Sequence, residues 1–207
     1  MLELGVLISG RGSNLMAILD AIDAGDLDAR VRLVMSNKKK APGLARAAER
    51  GVPTLAISHR DYPAREDFDA ALVGALREAG AQWVVLAGFM RIVTPVFLRA
   101  FPHRVVNIHP SLLPAFPGVD AQAQALAYGV KVTGCTVHLV NEGVDTGPII
   151  AQATVPVAGG DDRDRLAARI LVEEHRLLVE ALALVAAGRV DVVEEGARAR
   201  VSIRPAS

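Results

Sequence analysis

The chain has 207 residues, 51% of them hydrophobic, with a mean hydropathy of +0.31; this suffices for a sizeable core and suits one large domain or two small ones. Lysine plus arginine and aspartate plus glutamate both number 23, so no global field draws the chain to nucleic acid or an anionic membrane, and an anionic ligand must be held locally. No uncharged apolar run approaches the ~20 residues that cross a bilayer, the N-terminal pattern is that of a strand rather than a secretory leader, and a single cysteine, Cys135, suits a reducing cytoplasm and a small buried apolar role.

Leu4 to Ser9 is an apolar run followed by Gly10-Arg11-Gly12-Ser13-Asn14, and then by Leu15, Ile18, Leu19 and Ile22 at the spacing of one helix face. Such a strand, glycine turn and helix aims free backbone N–H groups and the positive end of the helix dipole at one point, which can hold a phosphate. The alternative is a tight turn without a ligand, capped by Ser13 or Asn14. A dinucleotide fingerprint is excluded by Leu15 at the third glycine position and by Ser36 and Asn37 where an acid would follow the second strand. Val31 to Met35 is the predicted second strand, Pro42 to Arg50 a helix closed by Gly51, and Val52 to Ile57 a third strand. Lys38-Lys39-Lys40 reads as a solvated loop.

Tyr62 to Ala79 is a predicted amphipathic helix with Phe68, Leu72, Leu76 and Ala79 on one stripe, ended by Gly80. Arg65 in its first turn opposes the helix dipole, which hints at an anionic contact. Trp83 to Ala87 reads as a central strand. The loop after it, Gly88 to Val93, stays apolar and needs covering, by the chain itself or by a flat organic ligand. Pro95 to Ala100 is a short helix.

Val105 to Ile108 is a buried strand, and in an extended chain Asn107 and His109 project to the same face before Pro110 and Pro114 end the run. A turn at Ala115 to Gly118 leads to a helix over Ala121 to Tyr128. Thr133 to Val140 and Pro148 to Val157 have strand character, and the loop between them is too short for a crossover helix, so they pair antiparallel. That loop carries Asp145 between Gly143 and Gly147, free to approach His109. Asp161-Asp162 caps a long helix from Arg163 to Ala187 with Glu174 and His175 in its middle, and Val190 to Ile203 resembles a surface hairpin. With no repeat, low-complexity tract or linker, the expected organisation is a single α/β domain over residues 1–207.

Asn107, His109 and Asp145 are the parts of an acyl transfer: an amide that donates to a developing oxyanion, an imidazole that passes a proton, and a carboxylate that orients it. No serine or cysteine nucleophile is obvious, although Ser111 is near in sequence, which favours direct attack of one substrate on another. Bland readings remain open: a structural histidine beside proline, and an aspartate that only forms a turn. A zinc site from His109, His138 and Asp145 lacks the usual ligand spacing, and no metal is expected.

The blocks Ile8-Ser9-Gly10-Arg11-Gly12-Ser13-Asn14-Leu15, Val85-Leu86-Ala87-Gly88-Phe89-Met90-Arg91-Ile92, Asn107-Ile108-His109-Pro110-Ser111-Leu112-Leu113-Pro114 and Asp145-Thr146-Gly147-Pro148-Ile149-Ile150 closely resemble the phosphoribosylglycinamide formyltransferase family, in its order and across almost the whole chain. The third block is shared by the wider superfamily of 10-formyltetrahydrofolate transferases and hydrolases, and the Gly12-Ser13-Asn14 turn narrows the match. The resemblance implies a Rossmann-like three-layer α/β fold with a mostly parallel central sheet, an antiparallel C-terminal strand pair and helices on both faces. Phosphate and substrate binding would fall in the N-terminal half, catalysis and folate binding in the C-terminal half. It implies that Gly12, Ser13 and Asn14 hold the substrate phosphate, that Arg65, Met90, Arg91, Ile92, Val93 and Asn107 contact the folate, and that Glu174 contacts the glycinamide substrate. Asn107, His109 and Asp145 would be catalytic. The chain departs from the family at Val119 to Gln124, where a His-x-His stretch is often found, and at Ala115-Phe116, where Lys-Tyr is familiar.

The implied reaction moves a formyl group from 10-formyltetrahydrofolate, the co-substrate, to the amine of 5′-phosphoribosylglycinamide in purine synthesis. The expected partners are small molecules, with no nucleic acid or membrane, and the expected state is a cytoplasmic monomer or weak homodimer. Two alternatives remain: a 10-formyltetrahydrofolate hydrolase, in which water replaces the amine, and a non-catalytic phospho-ligand-binding module.

Overall fold

A computed structural model describes residues 1–196 and 198–205, and the chain divides into two compact units, Met1–Asn107 and Ile108–Ser207. In the first, β1 (Leu2–Ile8), β2 (Ala29–Ser36), β3 (Thr54–Ala56), β4 (Trp83–Leu86) and the start of β5 (Val105–His109) lie in the order β3-β2-β1-β4-β5, each parallel to its neighbour. Parallel strands need crossovers, and α1 (Ser13–Ala24), α2 (Pro42–Glu49), α3 (Arg65–Glu78) and α4 (Pro95–Ala100) occur in the connections. Leu4, Val6, Leu7 and Ile8 of β1 are all fully buried without alternation, the pattern of a strand covered on both faces. Leu15 and Ile18 of α1 and Phe68, Leu72 and Leu76 of α3 fill the core, as their spacing predicts.

Two expectations are corrected by proline. The third strand is shorter than Val52 to Ile57, because Val52 N–H closes α2 on Ala47 O while Pro53 has no N–H to give the ladder. The helix expected from Tyr62 starts at Arg65. Pro63 disfavours helical backbone at Tyr62, which is extended, and the preceding chain makes a separate 3-10 turn over His59–Asp61.

The second unit holds β6 (Val132–Leu139) and β7 (Ile149–Pro156), paired antiparallel with a register irregularity between Val137 and His138, together with α5 (Ala121–Tyr128). The long α6 (Arg163–Ala186) packs on both strands through Leu166, Ile170, Leu177, Leu178, Ala181 and Leu182, and Asp162 caps it by accepting from Arg165 N at 2.8 Å. A hairpin of β8 (Val190–Glu195) and β9 (Arg198–Ile203) follows. The strand order of the sheet is β3-β2-β1-β4-β5-β6-β7, so it is mostly parallel with one antiparallel pair, as the sequence implied. Among the described residues no helix is long and apolar enough to cross a membrane.

Two tests probe this packing. A Cβ on Gly134 would lie 1.8 Å from Ala153 O on β7, so Gly134→Ala must part the strands. It is expected to cost roughly 1–3 kcal/mol, read as a lower urea midpoint; an unchanged midpoint contradicts the packing. Burial, reinforced by Glu174 and Glu173, pushes the Cys135 thiol up to about 12. The native protein is therefore expected to resist an aromatic disulfide reagent near about pH 8 and to react only when unfolded.

Candidate active site

The site is built at the end of β5, where Asn107 is half-buried and His109 is buried. The turn that follows is pinned from several directions. The buried Ser111 hydroxyl donates to Ala115 O at 2.6 Å, and Thr136 Oγ1 on β6 donates to Ser111 O at 2.7 Å while accepting from Leu113 N at 3.0 Å and from Gln152 Nε2 on β7 at 2.9 Å. Phe116 and Gly118 adopt left-handed backbone (φ 54° and 81°), which turns the chain back on itself. Phe116 O then lies 2.9 Å from His109 Nε2; a carbonyl only accepts, so this nitrogen carries the proton of the contact.

Asp145 comes to the same imidazole from the β6–β7 loop. Its backbone is left-handed (φ 53°), a conformation aspartate tolerates better than most residues. The loop is shaped by Asn141 Oδ1, which accepts from Gly143 N at 3.2 Å and Thr146 Oγ1 at 2.9 Å. It closes against β6 at Gly147, where a Cβ would stand 1.8 Å from Leu139 O. Asp145 Oδ2 accepts from Gly118 N at 2.8 Å and lies 3.3 Å from His109 Nδ1, while Oδ1 lies 3.6 Å from His138 Nε2. Burial pushes this carboxyl up, but the close approach of His138, the Gly118 N–H and the charges of the two imidazoles prevail, and its pKa falls below the ordinary value of 3.8. Asp145 is an anion at neutral pH.

The structure thus brings together His109 and Asp145, as the loop between β6 and β7 allowed. It adds three groups the sequence reading did not assign to the site: Phe116 O, Gly118 N–H and His138. The two backbone groups left no signal, because residue types do not disclose left-handed turns. His138 had one: strand alternation puts it on the same face as Thr136, beside the loop that carries Asp145. Sequence reasoning weighed it only as a zinc ligand. Asp145 oxygens at 3.3 and 3.6 Å from the imidazole nitrogens pair with the rings themselves, and among the described residues no group of three such side chains is disposed to hold a metal ion. Glu174 is buried in α6, where its charge acts on Cys135 of β6.

The remaining residues lie in the first unit. Gly12, at φ 70°, is the N-cap of α1, and no side chain caps that helix. This corrects the capping alternative: Ser13 and Asn14 stand inside the first turn. The Gly10–Gly12 turn rests on α2, with Gly10 O accepting from Gly43 N at 3.1 Å and Arg11 O from Arg46 Nη1 at 3.3 Å. Gly43 permits the approach, since a Cβ there would meet Ile8 Cδ1 at 2.5 Å. Lys38, Lys39 and Lys40 are exposed.

In the loop after β4, Phe89 and Val93 are buried whereas Met90 and Ile92 are 75% and 55% exposed, so the protein covers half of its apolar surface and presents the rest. Ser9 Oγ donates to Asn37 Oδ1 at 2.7 Å and accepts from Met90 N at 2.9 Å, and the Arg91 guanidinium stacks 5.3 Å over the Phe68 ring. Arg65 Nη2 donates to Ile92 O at 2.7 Å. That carbonyl takes up part of the guanidinium's donor capacity.

Comparison with known proteins identifies the family. Residues 3–182 match the formyl transferase family. The chain is 50% identical over 191 residues to a phosphoribosylglycinamide formyltransferase of Mycobacterium tuberculosis, covering 92% of this chain and 88% of that one. It is 50% identical over 195 residues to the trifunctional purine biosynthetic protein adenosine-3 of Drosophila pseudoobscura pseudoobscura, covering 93% of this chain and spanning 14% of that relative's length. Among solved structures, glycinamide ribonucleotide transformylase 1 from Symbiobacterium toebii superposes with a TM-score of 0.94 at 54% identity, over 98% of this chain and 94% of that one. The fold and these matches define the class as that of the formyl transferases. The chain belongs to the formyl transferase family.

The electrostatics of Asp145 give a pH test. Because its folded pKa is depressed, its contribution to stability is present above the unfolded value and is lost as pH falls through the folded one. Carbon-detected NMR is expected to place its titration below 3.8, and Asp145→Asn to flatten the acid side of the stability profile; a midpoint at or above 3.8 contradicts the reading.

Proposed function

We propose that this protein transfers the formyl group of 10-formyltetrahydrofolate to the amine of 5′-phosphoribosylglycinamide, giving formylglycinamide ribonucleotide and tetrahydrofolate for purine synthesis. The observation that carries the proposal is His109 seated against Asp145 at the end of β5, two residues beyond Asn107, in a chain of the formyl transferase family. The names of its relatives support 5′-phosphoribosylglycinamide as the substrate.

In this reading the amine attacks the formyl carbon to form the new C–N bond and a tetrahedral intermediate, which collapses as the bond from that carbon to the folate nitrogen breaks. Asn107 NH₂ and protonated His109 donate to the oxyanion of the tetrahedral intermediate, His109 by turning its Nε2–H from Phe116 O to the substrate while Nδ1 stays on Asp145. Asp145 keeps His109 oriented and helps the amine proton reach the departing folate nitrogen, through water. Gly12, Ser13 and Asn14 hold the substrate phosphate with backbone and side-chain donors at the start of α1, and Glu174 meets the glycinamide part. Arg65, Met90, Arg91, Ile92, Val93 and Asn107 receive the folate. Exposed Met90 and Ile92, on a loop fixed by Ser9 and Arg65, suit a flat heterocycle. The proposed working unit is one formyltransferase domain, a cytoplasmic monomer or weak homodimer acting on small molecules.

A spectrophotometric assay with a 10-formyl folate, with and without glycinamide ribonucleotide, tests the reaction. Turnover is expected to require the amine; deformylation independent of it would assign hydrolysis instead. His109→Ala and Asp145→Asn are each expected to lower turnover by ~10² to 10³. Near wild-type rates in a folded variant would remove these residues from the mechanism.

A further inference from the structure

We infer that His138 is a positioning residue of the formyl-transfer centre, holding the second oxygen of Asp145 so that the first stays on His109. The inference rests on the proposed function and adds a residue to it. Its starting point is a buried imidazole, 2% exposed, in the interior of a strand. Such a ring is expensive to bury unless its nitrogens are used. His138 Nδ1 lies 3.0 Å from Leu139 O, and since a carbonyl only accepts, Nδ1 bears the hydrogen. Nε2 is then the nitrogen left to face Asp145 Oδ1, at 3.6 Å.

His109 repeats the arrangement with the nitrogens exchanged. Its Nε2–H donates to Phe116 O at 2.9 Å, and its Nδ1 faces Asp145 Oδ2 at 3.3 Å. If both rings were neutral, each would turn a lone pair toward the carboxylate. A facing nitrogen that bears a hydrogen donates to the carboxylate, and each ring then spends one nitrogen on a carbonyl and the other on Asp145.

The geometry also divides the labour between the two oxygens. Gly118 N–H and His109 both use Oδ2. The contact of His138 with Oδ1 holds the carboxylate from its other side. It ties a loop residue in left-handed backbone to β6, whose pairing with β7 is regular up to that point. The groups that bear on Asp145 are His109 from β5, His138 from β6 and the Gly118 amide; Glu173 and Glu174 of α6 act on Cys135, three residues from His138 in β6.

Two substitutions separate positioning from mere packing. His138→Asn keeps an amide near Nδ1 for Leu139 O and loses Nε2; His138→Gln reaches the Nε2 position. His138→Asn is expected to lower kcat by up to about 10²-fold with little change in KM for either substrate, because the reacting groups are misplaced rather than absent. The acid limb of its rate profile should move to higher pH, since Asp145 loses a donor while remaining buried. His138→Gln should restore most of kcat. A folded His138→Asn with wild-type kcat and pH profile, or a His138→Gln no better than His138→Asn, overturns the inference. Nitrogen-15 NMR of the wild-type imidazoles provides a readout free of folding effects: His138 Nδ1 is expected to stay protonated across the neutral range, and an unprotonated Nδ1 overturns it. Failure of the proposed function is distinct, appearing as a wild-type protein with no amine-dependent turnover.

Discussion

The carboxylate of Asp145 is the constraint on which the candidate site depends. Taking an anion partly out of water is costly, and the cost is offset only when donors surround it. Here the donors come from three places: a backbone amide after β5, an imidazole at the end of β5 and an imidazole within β6. Each is itself fixed by something else. Ser111 and Thr136 hold the turn that presents Gly118, Phe116 O takes the far side of His109, and Leu139 O takes the far side of His138. The side chain of Asp145 therefore helps to hold the loop that carries it.

The first unit solves a different problem, which is to bring distant stretches of sequence to one edge. Parallel strands deliver their C-terminal ends to the same side of a sheet, and ligands of such folds gather there. β1, β4 and β5 are consecutive in the strand order. The glycine turn after β1, the apolar loop after β4 and Asn107 on β5 are thus neighbours by topology although nearly a hundred residues separate the first from the last. Ser9 joins two of them, bonding to Asn37 beyond β2 and to Met90 beyond β4.

Periodicity made most of this legible. The continuous burial of β1, the stripe of Phe68, Leu72 and Leu76, and the short loop that forces β6 and β7 antiparallel all follow from residue spacing alone. What periodicity could not show is where hydrogen bonds outside the ladders are spent. Val52 closes a helix instead of extending a strand, Pro63 delays α3, and Gly12 rather than Ser13 begins α1. In the candidate site, His109 and Asp145 were readable as residue types, and the order of blocks resembling known formyltransferases gave them a context. His138 was obscured because the same histidine serves equally well as core filler, metal ligand or partner of a carboxylate. The distance to Asp145 separates these roles.

The seat of the Gly10–Gly12 turn on α2 has a consequence for charge. In a trans peptide the C=O and the following N–H point in opposite directions. The carbonyls of Gly10 and Arg11 are both drawn toward α2, by Gly43 N–H and the Arg46 guanidinium. The N–H groups of Arg11 and Gly12 must therefore face away from α2. The turn is polarised across its thickness, with acceptors inward and donors outward, and the polarity is set by the packing of a neighbouring helix. A chain with a formal net charge of +0 can in this way present a locally electropositive surface made only of peptide bonds, whose sign no change of pH reverses.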